Sequence, residues 1–200
     1  EANSLSLVRL VPTGGRTPRG LAFTSTGAVL LVACYDSGEI VRIDTATWSV
    51  TGRTQTGPAL GESDGPPSSP RHIVIDKQDR VAYVSDMGLG VVWVYDIETA
   101  QVIDRIPVWF NPNTIALTPD GEHLYVSTRG PNHPDSYLNR SLVDGRIYII
   151  RTTDRCVVDI IEGGNQPTGL DISPDGQILI SANAYRREIF GKGPGLTEEI

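Results

Sequence analysis

The 200-residue chain carries a formal net charge of −7 and contains 21 glycines and 14 prolines, with 39% hydrophobic residues. The negative charge argues against nucleic acid as a partner, and no stretch of about 20 apolar residues favours insertion into a membrane. A composition this rich in turn residues favours many short elements over long helices.

The chain begins with a short apolar stretch, and a fourfold repeat follows it. Residues 4–14, SLSLVRLVPTG, are predicted to form one strand. The repeat joins a proline, an alternating apolar run, a turn and a second apolar run. Its four copies are TPRGLAFTSTGAVLLVA from Thr17, SPRHIVIDKQDRVAYVS from Ser69, NPNTIALTPDGEHLYVS from Asn111 and QPTGLDISPDGQILISA from Gln166.

The spacing of the repeat predicts the fold. The opening prolines are between about 42 and 55 residues apart, and a unit of about 42 residues with four strands, here named a to d, has the size of a propeller blade. We therefore predict an all-β fold, a β-propeller of four-stranded antiparallel blades forming one domain over 1–200. Its parts are strand d at 4–14, blades at 17–57, 69–109 and 111–164, and a partial blade at 166–200.

The last blade is predicted to stop where strand c begins. Residues 184–200 can be aligned in two ways. One alignment makes them a long insert between strands b and c, and the other makes REIF, 187–190, strand c. Along each strand a, large residues such as Leu21 and Phe23 alternate with small ones such as Gly20 and Ala22. The bulky face of one blade is therefore expected to pack on the slim face of its neighbour.

The repeat resembles a known family. AYVSD (82–86), LYVS (124–127) and VVWVYDIETAQVIDRIPV (91–108) are similar to the YVTN-type β-propeller repeats, which include surface-layer, lactonase-like and amine-dehydrogenase-subunit-like propellers. The resemblance covers nearly the whole chain. It implies a ring of about seven blades, completed by the rest of a longer chain or by a second subunit, and a periplasmic, extracellular or cell-surface location.

The long loops are predicted to lie on one face of the propeller. The extra residues fall at 57–70, between strands d and a, and at 129–145, between strands b and c. Both kinds of connection emerge at the same end of a blade. Long loops on a rigid scaffold commonly carry function, so we expect the binding site on this face.

Residues that follow the opening prolines are the main ligand-binding candidates. Arg19, Arg71, Asn113 and Thr168 are expected to ring the mouth of the central channel, with Arg129 beside them. Arginines there suit a carboxylate or phosphate.

The loop-rich face also contains acidic residues and tyrosines that bear on ligand binding. The alternative partners of the arginines are loop acids, namely Glu62, Asp64 and Asp86. Tyr137 and Tyr185, in or beside the inserts, are further candidates for ligand contacts.

A histidine near the mouth is the candidate for chemistry. His72 occupies the position held by Gly20, Thr114 and Gly169 in the other three units, and it suits a general base, a metal ligand or a packing residue. His133 and Asp135 could join it around a divalent metal, although no HExxH spacing supports this. No cofactor is predicted, a divalent metal being the open possibility. Cys34 and Cys156 are both expected to be buried.

The leading functional hypothesis is a non-enzymatic extracytoplasmic propeller. Its loop-rich face and channel mouth would bind a partner protein or a small anionic ligand, because no catalytic signature is present in the sequence. The alternative is a lactonase-like hydrolase using His72, or a propeller subunit of a quinone or haem oxidoreductase. The sequence has no Cys-x-x-Cys-His motif, so covalent haem is not expected on these residues.

Overall fold

Four small β-sheets make up the part of the chain that the structure describes. A computed structural model gives residues 6–185 in full and the backbone of two further strands at 189–192 and 196–197. These residues form sixteen strands in four four-stranded antiparallel sheets. Within those ranges no helix has the length and apolar character needed to cross a bilayer. The predicted all-β blade architecture is confirmed.

The strands of each sheet follow one another in chain order. The first sheet contains β1 (Pro18–Phe23), β2 (Val29–Cys34), β3 (Glu39–Asp44) and β4 (Ser49–Gln55). The second contains β5 (Pro70–Ile75), β6 (Val81–Asp86), β7 (Val91–Asp96) and β8 (Gln101–Pro107). The third contains β9 (Pro112–Leu117), β10 (His123–Thr128), β11 (Gly145–Arg151) and β12 (Cys156–Gly164). The fourth contains β13 (Pro167–Ile172), β14 (Ile178–Asn183), β15 (Ile189–Lys192) and β16 (Leu196–Thr197).

Neighbouring sheets pack face to face, with their first strands in contact. Ile73 and Ile75 of the second sheet share an apolar cluster with Ala22 of the first. Leu170 of the fourth sheet packs in the same way near Ala116 of the third. Large side chains of β5 and β13 therefore lie against small ones of the preceding sheet, whereas Ile115 of β9 packs in a cluster with Val74 of β5. The stack places β1, β5, β9 and β13 side by side.

The N-terminal strand prediction is wrong for residues 6–14, which form no strand; residues 1–5 lie outside the described residues. A strand needs a neighbouring strand to accept its hydrogen bonds. This segment instead crosses the outer face of the first sheet, where Val11 packs against the apolar cluster and Arg53 Nη2 donates to the Thr13 carbonyl. Leu7 and Val8 are 78% and 92% exposed.

The fourth sheet also differs from its prediction. β15 pairs with β14 and β16 pairs with β15, so strands c and d are both present in the blade predicted to lack them. Strand c begins at Ile189, close to the REIF alignment, and only residues 184–188 separate it from β14. A long insert at this position is therefore wrong. The Ile-Phe-Gly-Lys run pairs in register with β14, which a loop could not do.

The two cysteines lie in different environments. Cys34 ends β2 and is buried, as predicted, and burial raises the pKa of its thiol. Cys156 is exposed, so the prediction that both cysteines are buried is wrong for it. The physical reason is its place at the start of β12, the outermost strand of the third sheet, where most residues face solvent.

Candidate functional site

Both long inserts lie at the same end of the sheets. The first leads from β4 to β5 and the second from β10 to β11. In sheets whose strands alternate in direction, connections from strand d to a and from strand b to c leave from the same end of the strands. The backbone N–H of Leu60, in the first insert, donates to the carbonyl of Asp36, in the β2–β3 turn, at 2.9 Å. The inserts therefore form one loop-rich face around the starts of the inner strands.

Arg71 lies at the centre of this face. It follows the opening proline of β5, and its half-buried guanidinium donates from Nε to Oδ1 of Asn113, the corresponding residue of the next sheet. Asn113 is 2% exposed, and its Nδ2 has no hydrogen-bond partner among the described residues. A buried donor without an acceptor is costly, so this amide is an unsatisfied group next to Arg71.

Two further arginines flank Arg71. The Arg19 guanidinium lies over the ring of Tyr35, 4.4 Å from its centroid. Arg129 donates from Nη2 to Oε1 of Gln166 at 2.6 Å, and its Nε is buried without a partner among the described residues. We refer to Arg19, Tyr35, Arg71, Asn113 and Arg129 as the mouth cluster.

The mouth cluster is a concentration of positive charge. Burial lowers the pKa of Arg71, and the charges of Arg19 and Arg129 lower it further. Burial also lowers the pKa of Arg129. An anion placed among these guanidinium groups would relieve both their mutual repulsion and their desolvation.

The loop acids do not pair with these arginines. Within the described residues, no ion pair involves Arg19, Arg71 or Arg129. Glu62 instead accepts the backbone N–H of Ala59 at 3.0 Å. Asp86 is fully buried among five donors, which are Ser68 Oγ, the backbone N–H groups of Ser69, Gly88 and Leu89, and Trp93 Nε1.

The remaining ligand-binding candidates have mixed outcomes. The hydroxyl of Thr168 points to the Ala182 carbonyl at 3.5 Å, and its own carbonyl accepts from Thr114 at 2.6 Å. Thr168 therefore serves the packing of neighbouring strands. Tyr137 is 60% exposed, and Tyr185 donates to the Leu138 carbonyl, which ties the end of β14 to the second insert.

His72 lies beside Arg71 but faces the inner strands. It lines a cavity of about 550 Å³ bounded by β5, β9 and β13. Its Nδ1 accepts the backbone N–H of Ile115 at 3.4 Å. Burial lowers the pKa of His72, and the charge of Arg71 lowers it further, so the imidazole is neutral at pH 7. A neutral imidazole can accept a proton, and Nε2 carries the hydrogen in this tautomer.

The structure does not bring together the three metal candidates. His133 Nδ1 lies 3.6 Å from Asp135 Oδ2, and it lines a cavity in the second insert separate from that of His72. In the described part of the chain, no group of three or more histidine, cysteine or acidic side chains has the arrangement of a metal site.

Sequence reasoning missed the residues that hold the second insert over the mouth. Asn165 Nδ2 donates to the Ser141 carbonyl at 3.0 Å and to Asp144 Oδ1 at 2.9 Å. Gln166 donates from Nε2 to the Asn139 carbonyl at 2.9 Å while accepting from Arg129. A signal existed in the sequence, because two polar amides directly precede an opening proline.

Another cavity lies on the opposite face. It measures about 590 Å³ and is bordered by turn residues of the second and third sheets. Its aspartates serve the turns or ion pairs, as when Asp104 pairs with Arg155 at 2.9 Å. Positive charge without carboxylate partners distinguishes the mouth cluster from this cavity.

Comparisons with known proteins agree with this architecture. The family model described as lactonase, 7-bladed beta-propeller, matches residues 1–63 and 64–189. Antigen Lp49 of Leptospira interrogans serogroup Icterohaemorrhagiae serovar copenhageni (strain Fiocruz L1-130) is 40% identical over 191 residues, covering 86% of this chain and 39% of the antigen. A 6-phosphogluconolactonase of Yersinia enterocolitica serotype O:8 / biotype 1B is 27% identical over 177 residues, covering 82% of this chain and 49% of that protein.

A solved structure shows the same fold. Kuenenia stuttgartiensis hydrazine synthase superposes with a TM-score of 0.72 at 21% identity, covering 94% of this chain and 49% of that one. At this identity the likeness shows the fold alone. The chain spans less than half the length of the two curated relatives and of this solved chain.

Proposed function

Because this chain belongs to the family of 7-bladed lactonase β-propellers, we propose that it binds a small anionic ligand at the mouth cluster. One observation carries the proposal: three arginines converge there without a carboxylate partner among the described residues. Buried donors on Asn113 and Arg129 also lack acceptors. A carboxylate or phosphate supplies acceptors to such donors and charge to such cations.

Titration calorimetry in a buffer without multivalent anions tests the proposal. Inorganic phosphate and citrate should bind saturably, and Arg71→Gln should weaken binding by at least about tenfold, since a charge-assisted hydrogen bond contributes about 1.5–3 kcal/mol. Arg151→Gln is the matched control, because Arg151 lies in an exposed ion pair with Asp154. Absence of saturable binding, or equal weakening by both variants, would reject an anion site at the mouth.

A second candidate function is hydrolysis of a lactone. It is favoured by the neutral, half-buried imidazole of His72 beside Arg71, and by the names of the family and of the Yersinia relative, a lactonase and a 6-phosphogluconolactonase. Water adds to the ester carbonyl as its proton passes to His72 Nδ1, which gives up the hydrogen bond it accepts from the Ile115 N–H. The imidazolium then returns the proton to the ring oxygen, which leaves as the hydroxyl of a hydroxy acid. The product carboxylate would then face the arginines.

A pH-stat assay with δ-gluconolactone at pH 7 separates the two functions. If His72 is the base, His72→Ala should lower the enzymatic rate by about a hundredfold or more. A rate no faster than spontaneous ring opening, or an equal rate for the variant, would reject hydrolysis and leave anion binding standing.

We further propose a periplasmic or cell-surface location and a ring completed outside these residues. The location is supported by the relative named an antigen, which is 40% identical to this chain. The second proposal is supported by relatives more than twice as long as the matched segment and by the seven blades of the family. Protease accessibility on intact cells and the mass of the native polypeptide test the two proposals separately.

A further inference from the structure

An apolar cavity opens on the loop-rich face beside the mouth cluster. It measures about 410 Å³, within the range of small-molecule sites. Its walls come from the first insert, the β6–β7 turn and the β8–β9 connection. The apolar lining residues are Pro66, Met87, Leu89, Val108, Trp109 and Phe110.

The aromatic wall of this cavity is held in place from behind. The Arg146 guanidinium lies over the Trp109 ring, 4.2 Å from its centroid, and the ring also lies against Gly130. Phe110 tilts against Trp109 with ring centroids 5.9 Å apart and is 58% exposed. A fixed indole beside an exposed phenyl ring offers apolar surface to a ligand at low cost in side-chain entropy.

Two contacts connect this cavity to the mouth cluster. Met87 lines the cavity, and its sulfur accepts the hydroxyl of Tyr35 at 3.5 Å; Tyr35 is the ring that Arg19 covers. Asn111 also lines the cavity, and its carbonyl accepts the backbone N–H of Arg129 at 3.1 Å. Cationic and apolar surfaces are thus adjacent, so one ligand can use both.

We propose that the ligand of the mouth cluster is an amphipathic anion, whose carboxylate or phosphate contacts the arginines while an aromatic ring fills the apolar cavity. The proposal rests on the anion-binding function proposed above and adds the ligand class. Charge complementarity selects the headgroup, and the apolar walls with Trp109 and Phe110 select the ring. A ligand with both an anionic group and a ring would use the cationic and the apolar surface at once.

Paired probes with and without a ring test the proposal by calorimetry. Phenylacetate should bind at least about tenfold tighter than acetate, and phenyl phosphate tighter than inorganic phosphate by a similar factor, from burial of one phenyl ring. Phe110→Ser should remove most of this advantage without changing the affinity for acetate or phosphate. Arg71→Gln should weaken both members of each pair equally.

Phe23→Ser is the matched control, since Phe23 is 54% exposed on the outer face of the first sheet, and it should leave all four affinities unchanged. Equal affinities for ringed and ringless probes, with dependence on Arg71, would overturn this proposal and leave anion binding intact. Tight binding of phenylacetate that does not depend on Arg71 would overturn it as well. No binding of any probe would defeat the proposed anion-binding function itself.

Discussion

Asp86 and Arg71, two charged side chains on the loop-rich face, differ in how fully they are hydrogen-bonded. Asp86 accepts five hydrogen bonds and is completely enclosed, which is how a structural carboxylate is stabilised. Arg71 makes one hydrogen bond to a side chain, to Asn113, and faces two other arginines. The fold therefore stabilises its buried anion with its own donors, whereas the half-buried Arg71 has no anionic partner among the described residues.

His72 gives a pH dependence of stability with a definite sign. Burial and Arg71 lower its pKa below the ordinary 6.5, so between the folded pKa and about 6.5 the unfolded chain binds more protons than the folded one. The free energy of unfolding should fall as pH drops through that window. Urea denaturation at pH 7 and pH 5 should show a smaller decrease for His72→Gln than for the parent. Identical decreases would mean that His72 is not responsible.

At the scale of elements, close approach of the inner strands limits which residues fit. A Cβ on Gly20 would lie 2.4 Å from the Arg71 carbonyl oxygen, because β1 and β5 touch there. Gly52, on the outer strand β4, has its nearest neighbour at 3.6 Å. Both glycines lie in strands, so only the space around them differs.

This contrast gives a matched pair of substitutions. Gly20→Ala should lower the free energy of unfolding by about 1–3 kcal/mol through overpacking, whereas Gly52→Ala should change it by less than about 0.5 kcal/mol. Because the clash falls on the Arg71 backbone, Gly20→Ala should also weaken phosphate binding. Urea denaturation and calorimetry measure the two effects, and equal unfolding midpoints for the two variants would contradict the close contact.

Elements with a local pattern were predictable, and those that depend on distant partners were not. The runs 81–86 and 91–96 alternate and end in turn residues, and they match β6 and β7. Residues 6–14 carry a similar apolar pattern, yet they have no neighbouring strand to pair with. In the site, the repeat predicted the position of Arg71. It did not predict the contact of Gln166 with Arg129, which joins residues 37 positions apart.

At the scale of the whole molecule, the outer face of the first sheet stands out. Leu21 and Phe23 are 64% and 54% exposed, although the corresponding Ile73 and Ile115 are buried against a preceding sheet. In the second and third sheets, the large side chains at these positions pack against the preceding sheet. Residues 6–14 cover part of this face through Val11, but they leave Leu21 and Phe23 exposed. Exposed apolar side chains at the end of such a stack promote association.

Concentration-dependent self-association through this face is therefore expected. The double variant Leu21→Glu, Phe23→Lys should stay monomeric in analytical ultracentrifugation at concentrations where the parent associates. Ile103→Lys is the control, since Ile103 is a single apolar residue, 45% exposed, on β8 of the second sheet. Association that persists in the double variant would place the contact elsewhere.

The packing of large side chains on small ones gives the stack of sheets a direction. Leu21 and Phe23 project from one end of the arc, while Gly169 occupies the corresponding strand at the other. A two-fold arrangement that joins like ends would set bulk against bulk. Each further sheet must therefore stack head to tail on the one before it. Such a stack forms either a closed ring, in which the last sheet packs on the first, or an open arc.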